Sequence, residues 1–248
     1  MLQQTQVERV IPRWLEFLAA YPTPEACAAV ALGDVLRLWQ GLGYPRRARN
    51  LHAAAQRVAD LGTFPRSLEG LLTLPGVGPY TARALLAFAF EDDAAVVDTN
   101  IARVLARCDG RQLTAREVQA AADASLATDE SWAWNQSIMD LGATLCRPTT
   151  PRCSECPLLA DCAWHGGAGE DPAVGSANVS GRQSRFDGSD RQGRGRLMKA
   201  MGHAPVPADR LSVVMGWPSQ PDRAARVAAL VVADGLAVFD GERYRLPG

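Results

Sequence analysis

The chain has 248 residues, 47% of them hydrophobic and 21% charged, with a formal net charge of -1, a make-up that suits a globular protein with one large core or two smaller ones. No apolar run approaches the roughly 20 residues of a membrane span, and Met1-Leu2-Gln3-Gln4-Thr5 has neither the basic opening nor the apolar core of a signal peptide, so a cytoplasmic protein with no membrane role is expected. A balance this close to neutral excludes a uniformly basic nucleic-acid binder but not a local basic patch, because phosphate attraction follows where charges cluster.

From Met1 to about Trp164 apolar residues recur at three- and four-residue spacing with sharp punctuation, which predicts an all-α domain. Thr23-Pro24 reads as an N-cap followed by proline in the first turn. Gly41 and Gly43 break the helix carrying Val35, Leu38 and Trp39, and Gly62 ends the helix Leu51–Leu61. Short helices are predicted at Ala84–Phe90, Ile101–Arg107, Arg116–Ala127 and Trp132–Leu145. Between His165 and Gly195 the composition turns to Gly, Ser, Asp and Arg, too poor in apolar surface to offset ordering entropy, and a flexible linker over 165–195 is expected. Beyond it Arg196–Met201, Ala208–Met215 and Arg223–Asp234 read as helices, and Ala237–Phe239 with Arg243–Leu246 as a hairpin turning at Asp240-Gly241. Residues 196–248 thus form a small winged-helix-like module or, as the alternative, a helical cap with no nucleic-acid contact.

Four of the six cysteines, Cys146, Cys153, Cys156 and Cys162, follow the spacing C-x6-C-x2-C-x5-C within one short stretch, 146–164. In a reducing compartment such clustering favours a metal centre over disulfides. One compact run can wrap an iron–sulfur cubane, whereas tetrahedral zinc, the alternative, usually takes two separated paired-cysteine knuckles. Arg147 and Arg152 lie among these cysteines, facing either a phosphate backbone or plain solvent. Cys27 and Cys108 stand apart and read as small buried apolar residues.

Leu74-Pro75-Gly76-Val77-Gly78 joins two helical stretches, and its glycines allow backbone N–H groups to point outward and hold a phosphate. Asp98, twenty residues past Gly78, stands between the apolar run Ala94–Val97 and a new helix at Thr99-Asn100. Taken alone, such an aspartate is a helix cap.

Together, Leu-Pro-Gly-Val-Gly-Pro-Tyr-Thr-Ala (74–82), Val-Val-Asp-Thr-Asn (96–100) and the four-cysteine loop resemble the endonuclease III and MutY superfamily of helix-hairpin-helix DNA glycosylases. Met-Leu-Gln-Gln-Thr-Gln-Val (1–7), Gly-Leu-Gly-Tyr (41–44) and Arg47-Ala48-Arg49-Asn50-Leu51-His52 are similar to MutY, the adenine-removing branch. The resemblance covers about residues 1–165, and the tail resembles that of short actinobacterial members. It implies a glycosylase domain over 1–145, a 4Fe-4S cluster on the four cysteines, and a bacterial, nucleoid-associated monomer acting on double-stranded DNA with a mispaired or oxidised base. The base is flipped out and water cleaves its N-glycosidic bond. Asp98 then stabilises the positive charge growing on the sugar. Tyr80 occupies the place of the Schiff-base lysine of bifunctional relatives, and the chain's one lysine is Lys199, which implies a monofunctional enzyme in which Tyr80 orders the site. Gln4, with Gln3 beside it, wedges into the vacated space. Leu42 and Tyr44 probe the base opposite the target, 8-oxoguanine or guanine. Arg46, Arg47, Arg49 and His52 form a basic cluster that meets phosphates, as do the hairpin glycines Gly76 and Gly78; for His52 a satisfied surface histidine is the equal alternative.

Two departures go with the resemblance. The family's general acid, a glutamate, falls two residues ahead of Met1, so the chain as written is expected to excise poorly or not at all and to expose apolar surface. A short tail stands where many MutY proteins carry a larger 8-oxoguanine-recognising domain. The alternatives are a thymine or uracil mismatch glycosylase and a non-catalytic DNA-binding protein.

Overall fold

The computed structural model describes residues 1–2, 5–167, 169–179 and 185–248. The chain divides into two compact units: Met1–Pro65 with Leu74–Gly76 and Gln183–Gly248, and Arg66–Thr73 with Val77–Arg182. Among the described residues no helix is long and apolar enough to cross a membrane.

In the first unit α1 (Val7–Ala20), α2 (Pro24–Ala28), α3 (Leu32–Leu38) and α4 (Arg46–Leu61) open the chain. Thr23 caps α2 by accepting from the Ala26 N–H at 3.2 Å, with Pro24 in its first turn, and Gly62 ends α4 in the left-handed region at φ 66°. The second unit holds α5 (Leu68–Leu72), α6 (Pro79–Leu85), which runs into a π-turn over Leu86–Phe90, then α7 (Thr99–Asp109), α8 (Ala115–Ser125) and α9 (Ser131–Thr144). The predicted helix Ala84–Phe90 is therefore the end of a longer element that starts at the hairpin.

The first unit resumes with α10 (Asp190–His203), β1 (Val206–Pro207), α11 (Leu211–Met215), α12 (Pro221–Ala233), β2 (Val238–Phe239) and β3 (Arg243–Arg245). The expected hairpin forms, with Phe239 opposite Tyr244, and β1 adds Val206 on the other side of Tyr244 to give the order β1-β3-β2. Three helices and this three-stranded sheet alternate along the C-terminal part of the chain. Two residues of strand leave no alternation to read, which is why β1 escapes the sequence. Helix α10 starts at Asp190, capped by Ser189, inside the stretch expected to be a linker.

This C-terminal module has no separate core. Phe17, Val35, Leu36 and Trp39 pack in one buried cluster with Leu197, Met201, Met215, Val227 and Val231. Gly33 donates its N–H to the Pro247 carbonyl at 3.0 Å, and a Cβ at Gly33 would collide with that oxygen. Val7, Ile11, Trp14, Leu15 and Leu18 form an exposed apolar stripe along α1.

Candidate functional site

In the second unit Asp98 is fixed from both sides. Upstream, Ala94–Val97 is fully buried and extended, so its side chains alternate: Ala94 and Val96 pack with Ala87, and Ala95 and Val97 with Ala102, Val118 and Ala122. Asn135 and Ser131 of α9 satisfy this stretch's backbone. The Val96 N–H donates to Asn135 Oδ1 (2.8 Å), Asn135 Nδ2 donates to the Ala94 carbonyl (2.9 Å), and the Ala94 N–H donates to Ser131 Oγ (3.1 Å). Downstream, Asp98 Oδ1 accepts from the N–H groups of Asn100 (2.8 Å) and Ile101 (2.7 Å), and Oδ2 accepts from Asn100 Nδ2 (3.1 Å). The cap role is thus real. It also holds a half-buried carboxylate in one orientation.

Tyr80, in the first turn of α6, lies within electrostatic reach of that carboxylate: burial of its hydroxyl, then the Asp98 charge, raise its pKa above the ordinary phenol value. Tyr80 therefore stays a neutral donor. Gly78 is the N-cap of α6, and a side chain there would meet nothing within 4 Å, so the approach to the hairpin N–H groups is open. From Asp98 a polar chain runs on. Asn100 Oδ1 accepts from Arg103 (2.8 Å), whose guanidinium also donates to the carbonyls of Gly142 (2.6 Å) and Cys146 (2.8 Å).

Cys146, Cys153, Cys156 and Cys162 line one cavity together with Arg107, Pro151 and Trp164. All four are half-buried free thiols. Arg107 donates to Cys146 Sγ at 3.3 Å and the His165 N–H to Cys162 Sγ at 3.3 Å, while a Cβ at Gly166 would lie 3.0 Å from Cys153 Sγ. Sulfurs that ring a space and accept N–H bonds fit a bulky, thiolate-held cluster. Among the described residues no group of three or more His, Cys, Asp or Glu is gathered as a single metal ion would need. Cys108 is half-buried, and burial first, then neighbouring Cys162, push its thiol up to about 12, so it stays neutral. Cys27 is buried as expected. Arg152 is taken by Glu155 and Arg147 donates to the Thr150 carbonyl at 3.3 Å.

Residues 171–179, within the stretch expected as a linker, are ordered against the second unit. Asp171 accepts from Arg107 at 2.6 and 3.0 Å, Gln112 donates to the Val174 carbonyl at 2.8 Å, and the Leu113 N–H donates to the buried Ser176 hydroxyl at 2.9 Å. These polar contacts hold what apolar content does not.

In the first unit Gly76 adopts φ 77°, and a Cβ there would lie 2.5 Å from Asn50 Cβ, so glycine is required twice over. The loop after α3 has left-handed residues at Gly41 (φ 90°), Gly43 (φ 71°) and Tyr44 (φ 47°). Its carbonyls are all engaged. Arg9 donates to Gly41, Thr5 Oγ1 to Leu42 at 3.0 Å, and Trp39 Nε1 to Gly43 at 3.0 Å. Tyr44 presents its ring to solvent and is no core filler, whereas the Leu42 side chain is buried and contributes only its carbonyl. Arg47, expected on phosphates, instead organises the loop: it donates to the carbonyls of Met1, Leu42 and Gly43 and lies 5.4 Å from the rings of both Trp39 and Tyr44. Arg46 pairs with Asp234 and Arg49 donates to the Asp234 carbonyl, while His52 is buried and bonded to the Val30 carbonyl at 2.9 Å. Gln3 and Gln4 lie outside the described residues. Sequence reasoning missed Asn135, Asp171 and Asp234, because partners so far along the chain leave no periodic signal.

The family model described as HhH-GPD superfamily base excision DNA repair protein matches residues 1–127. An adenine DNA glycosylase of Mycolicibacterium smegmatis is 37% identical over 265 residues, covering all of this chain and 85% of that protein. One of Mycobacterium tuberculosis is 40% identical over 258 residues, with 83% of it covered, and the human adenine DNA glycosylase is 36% identical over 197 residues, 73% of this chain and 35% of that protein. Among solved structures, a thermostable thymine-DNA glycosylase (27% identity, TM-score 0.62) covers 66% of this chain and 80% of its own, and endonuclease III in a non-covalent DNA complex (27%, TM-score 0.58) covers 66% and 78%. The chain belongs to the HhH-GPD superfamily of base excision DNA repair proteins and, within it, to the adenine DNA glycosylases.

Proposed function

We propose that this chain removes adenine mispaired with 8-oxoguanine or guanine in double-stranded DNA by hydrolysing its N-glycosidic bond, without cutting the strand. The observation that carries the reading is Asp98, a carboxylate held by three donors and neighboured by a neutral Tyr80 hydroxyl. Its fixed negative charge suits a sugar that turns cationic as the bond to the base breaks. Water oxygen bonds to C1′ as the bond to the base breaks, the electron pair leaving on the base nitrogen and the proton that water loses ending on the base, and a carboxylate already oriented needs no reorganisation at that moment. Because Lys199 on α10 is the only lysine, no amine at the Tyr80 position forms a Schiff base with the sugar, which supports hydrolysis alone. Gly76 and Gly78 carry the phosphate grip, and Tyr44 stacks on the base opposite the target.

Cys146, Cys153, Cys156 and Cys162 hold a 4Fe-4S cluster in this reading. When bound, it supplies thiolate cross-links that fix the loop and a centre able to exchange one electron. The protein works as a cytoplasmic, nucleoid-associated monomer.

Binding to duplexes whose target nucleoside carries a bond-protecting 2′-fluorine tests the specificity without requiring turnover. The expected order is adenine opposite 8-oxoguanine, then adenine opposite guanine, with thymine or uracil opposite guanine well behind. Preference for the thymine mismatch would overturn the reading. For the cluster, a visible chromophore with stoichiometric iron, lost in Cys153→Ser, is expected; zinc in place of iron would refute it.

A further inference from the structure

We infer that the C-terminal module, α10 to β3, positions the Tyr44 loop and so sets how strongly 8-oxoguanine is preferred over guanine opposite the target. The inference rests on the reading of Tyr44 given above.

The loop is held by the module at its start, its tip and its end. At the start, Gly202 of α10 packs so closely on Gln40 that any Cβ there would overlap the Gln40 amide. At the tip, Arg191 of α10 donates to the Tyr44 hydroxyl at 3.4 Å. At the end, the Asp234 carboxylate, at the C-cap of α12 and with 11% of its side chain exposed, takes Arg46 from α4 and Arg194 from α10 together, while Arg49 donates to the Asp234 carbonyl. Between these points the backbone is in an unfavourable conformation: Tyr44 has φ 47°, which a residue with a Cβ keeps only where its surroundings over-determine it. The loop's own donors account for the carbonyls. The module's Arg191, on the hydroxyl, and Arg47 of α4, over the ring face, account for where the ring points.

Helix α12 is poorly suited to reading DNA itself. Helix α12 corresponds in order to the helix that winged-helix proteins lay on nucleic acid, yet Ala225, Ala229, Leu230 and Ala233 make up much of its exposed surface. Its two arginines, Arg223 and Arg226, both pair with Asp190. The single Asp190 carboxylate offsets one of their two charges, so this largely apolar helix offers little net attraction to a phosphate backbone.

The test is the ratio of affinities of the whole chain for 2′-fluoro-protected adenine opposite guanine and opposite 8-oxoguanine. Tyr44→Ala is expected to collapse the preference. Arg191→Met should lower it by about 2- to 10-fold, the range of one ordinary hydrogen bond, with the thermal midpoint unchanged. Arg191→Lys, which keeps a donor and the charge, should restore most of it, and Asp234→Asn should lower it as well. Loss of one arginine's phosphate attraction weakens both duplexes alike and leaves the ratio untouched, so the ratio reports position. A preference lost in Tyr44→Ala but intact in both Arg191→Met and Asp234→Asn would overturn the inference and spare the reading of Tyr44. A preference intact in Tyr44→Ala would overturn that reading and the inference with it.

Discussion

Asp171 takes one arginine and Asp234 two, all from distant parts of the chain, and they use the ionic contact in opposite ways. In the second unit the Arg107 side chain is 2% exposed: Asp171 takes it on one edge, Trp164 lies 4.6 Å beneath it, and the carbonyls of Cys146, Arg147 and Pro148 take the remaining donors. In the first unit Arg46 bonds Asp234 yet leaves 61% of its side chain in solvent. A guanidinium with all donors satisfied inside the protein ties the cysteine loop to α7. One held by a single edge keeps donors aimed outward. The difference teaches that a basic motif says little about partners until its carboxylates are located.

The largest expected effect separates these roles. Arg107→Met strips the cysteine loop's carbonyls of a donor and strands Asp171, and breaking a buried pair on one side costs about 3–5 kcal/mol. Urea or thermal unfolding should show the second unit weakened by that order. A change within about 0.5 kcal/mol, the scale of ordinary surface substitutions, would mean Arg107 is no more structural than Arg46.

How much of this was legible in the sequence follows from the range of the forces involved. Gly76, Gly62 and the Thr23 cap are local: backbone conformation and the next turn decide them, so residue type alone gave them away. The cysteine spacing and the run before Asp98 were legible for the same reason. The partners of the arginines were not. Asp171 lies 64 residues from Arg107 and Asp234 lies 188 from Arg46, in segments whose composition reads as linker or helix end. Asn135 hides differently, as one polar residue in α9 whose amide substitutes for a neighbouring strand along Ala94–Val97. Arg47 misled because its motif is basic while its position, against Trp39 and the loop carbonyls, is interior.

Acid titration sharpens the comparison at a smaller scale. Burial raises the Asp171 carboxyl, but its bonds from Arg107 and from the Ala173 N–H outweigh that and hold it below the ordinary carboxylate range. Asp234 is lowered first by its bond from Arg46, against burial. A depressed folded-state pKa gives stability that is complete above the unfolded pKa and disappears as pH falls through the folded one. Wild-type protein should therefore lose more stability than Asp171→Asn or Asp234→Asn between about pH 5 and pH 2. Added salt should shrink the Asp234 share more than the Asp171 share, because screening reaches Arg46, 61% exposed, before Arg107, 2% exposed. Equal salt sensitivity would mean that the two pairs share one environment.

The smallest effect concerns what the outward-facing edge of Arg46 does. If it meets a DNA phosphate, Arg46→Gln lowers the slope of log affinity against log salt by about 0.9, the release of one counterion. Affinity at low salt should fall alike for matched and mismatched duplexes, since a phosphate contact carries no base information. Arg107→Met, with its charge buried under Trp164, should leave the slope as it was. Reading the two slopes side by side removes the ambiguity of a bare loss of affinity, which a partly unfolded protein would also show. A slope unchanged in Arg46→Gln would make Arg46 a clamp for Asp234 alone, and the contrast between the two aspartates would then be one of exposure without any difference in role.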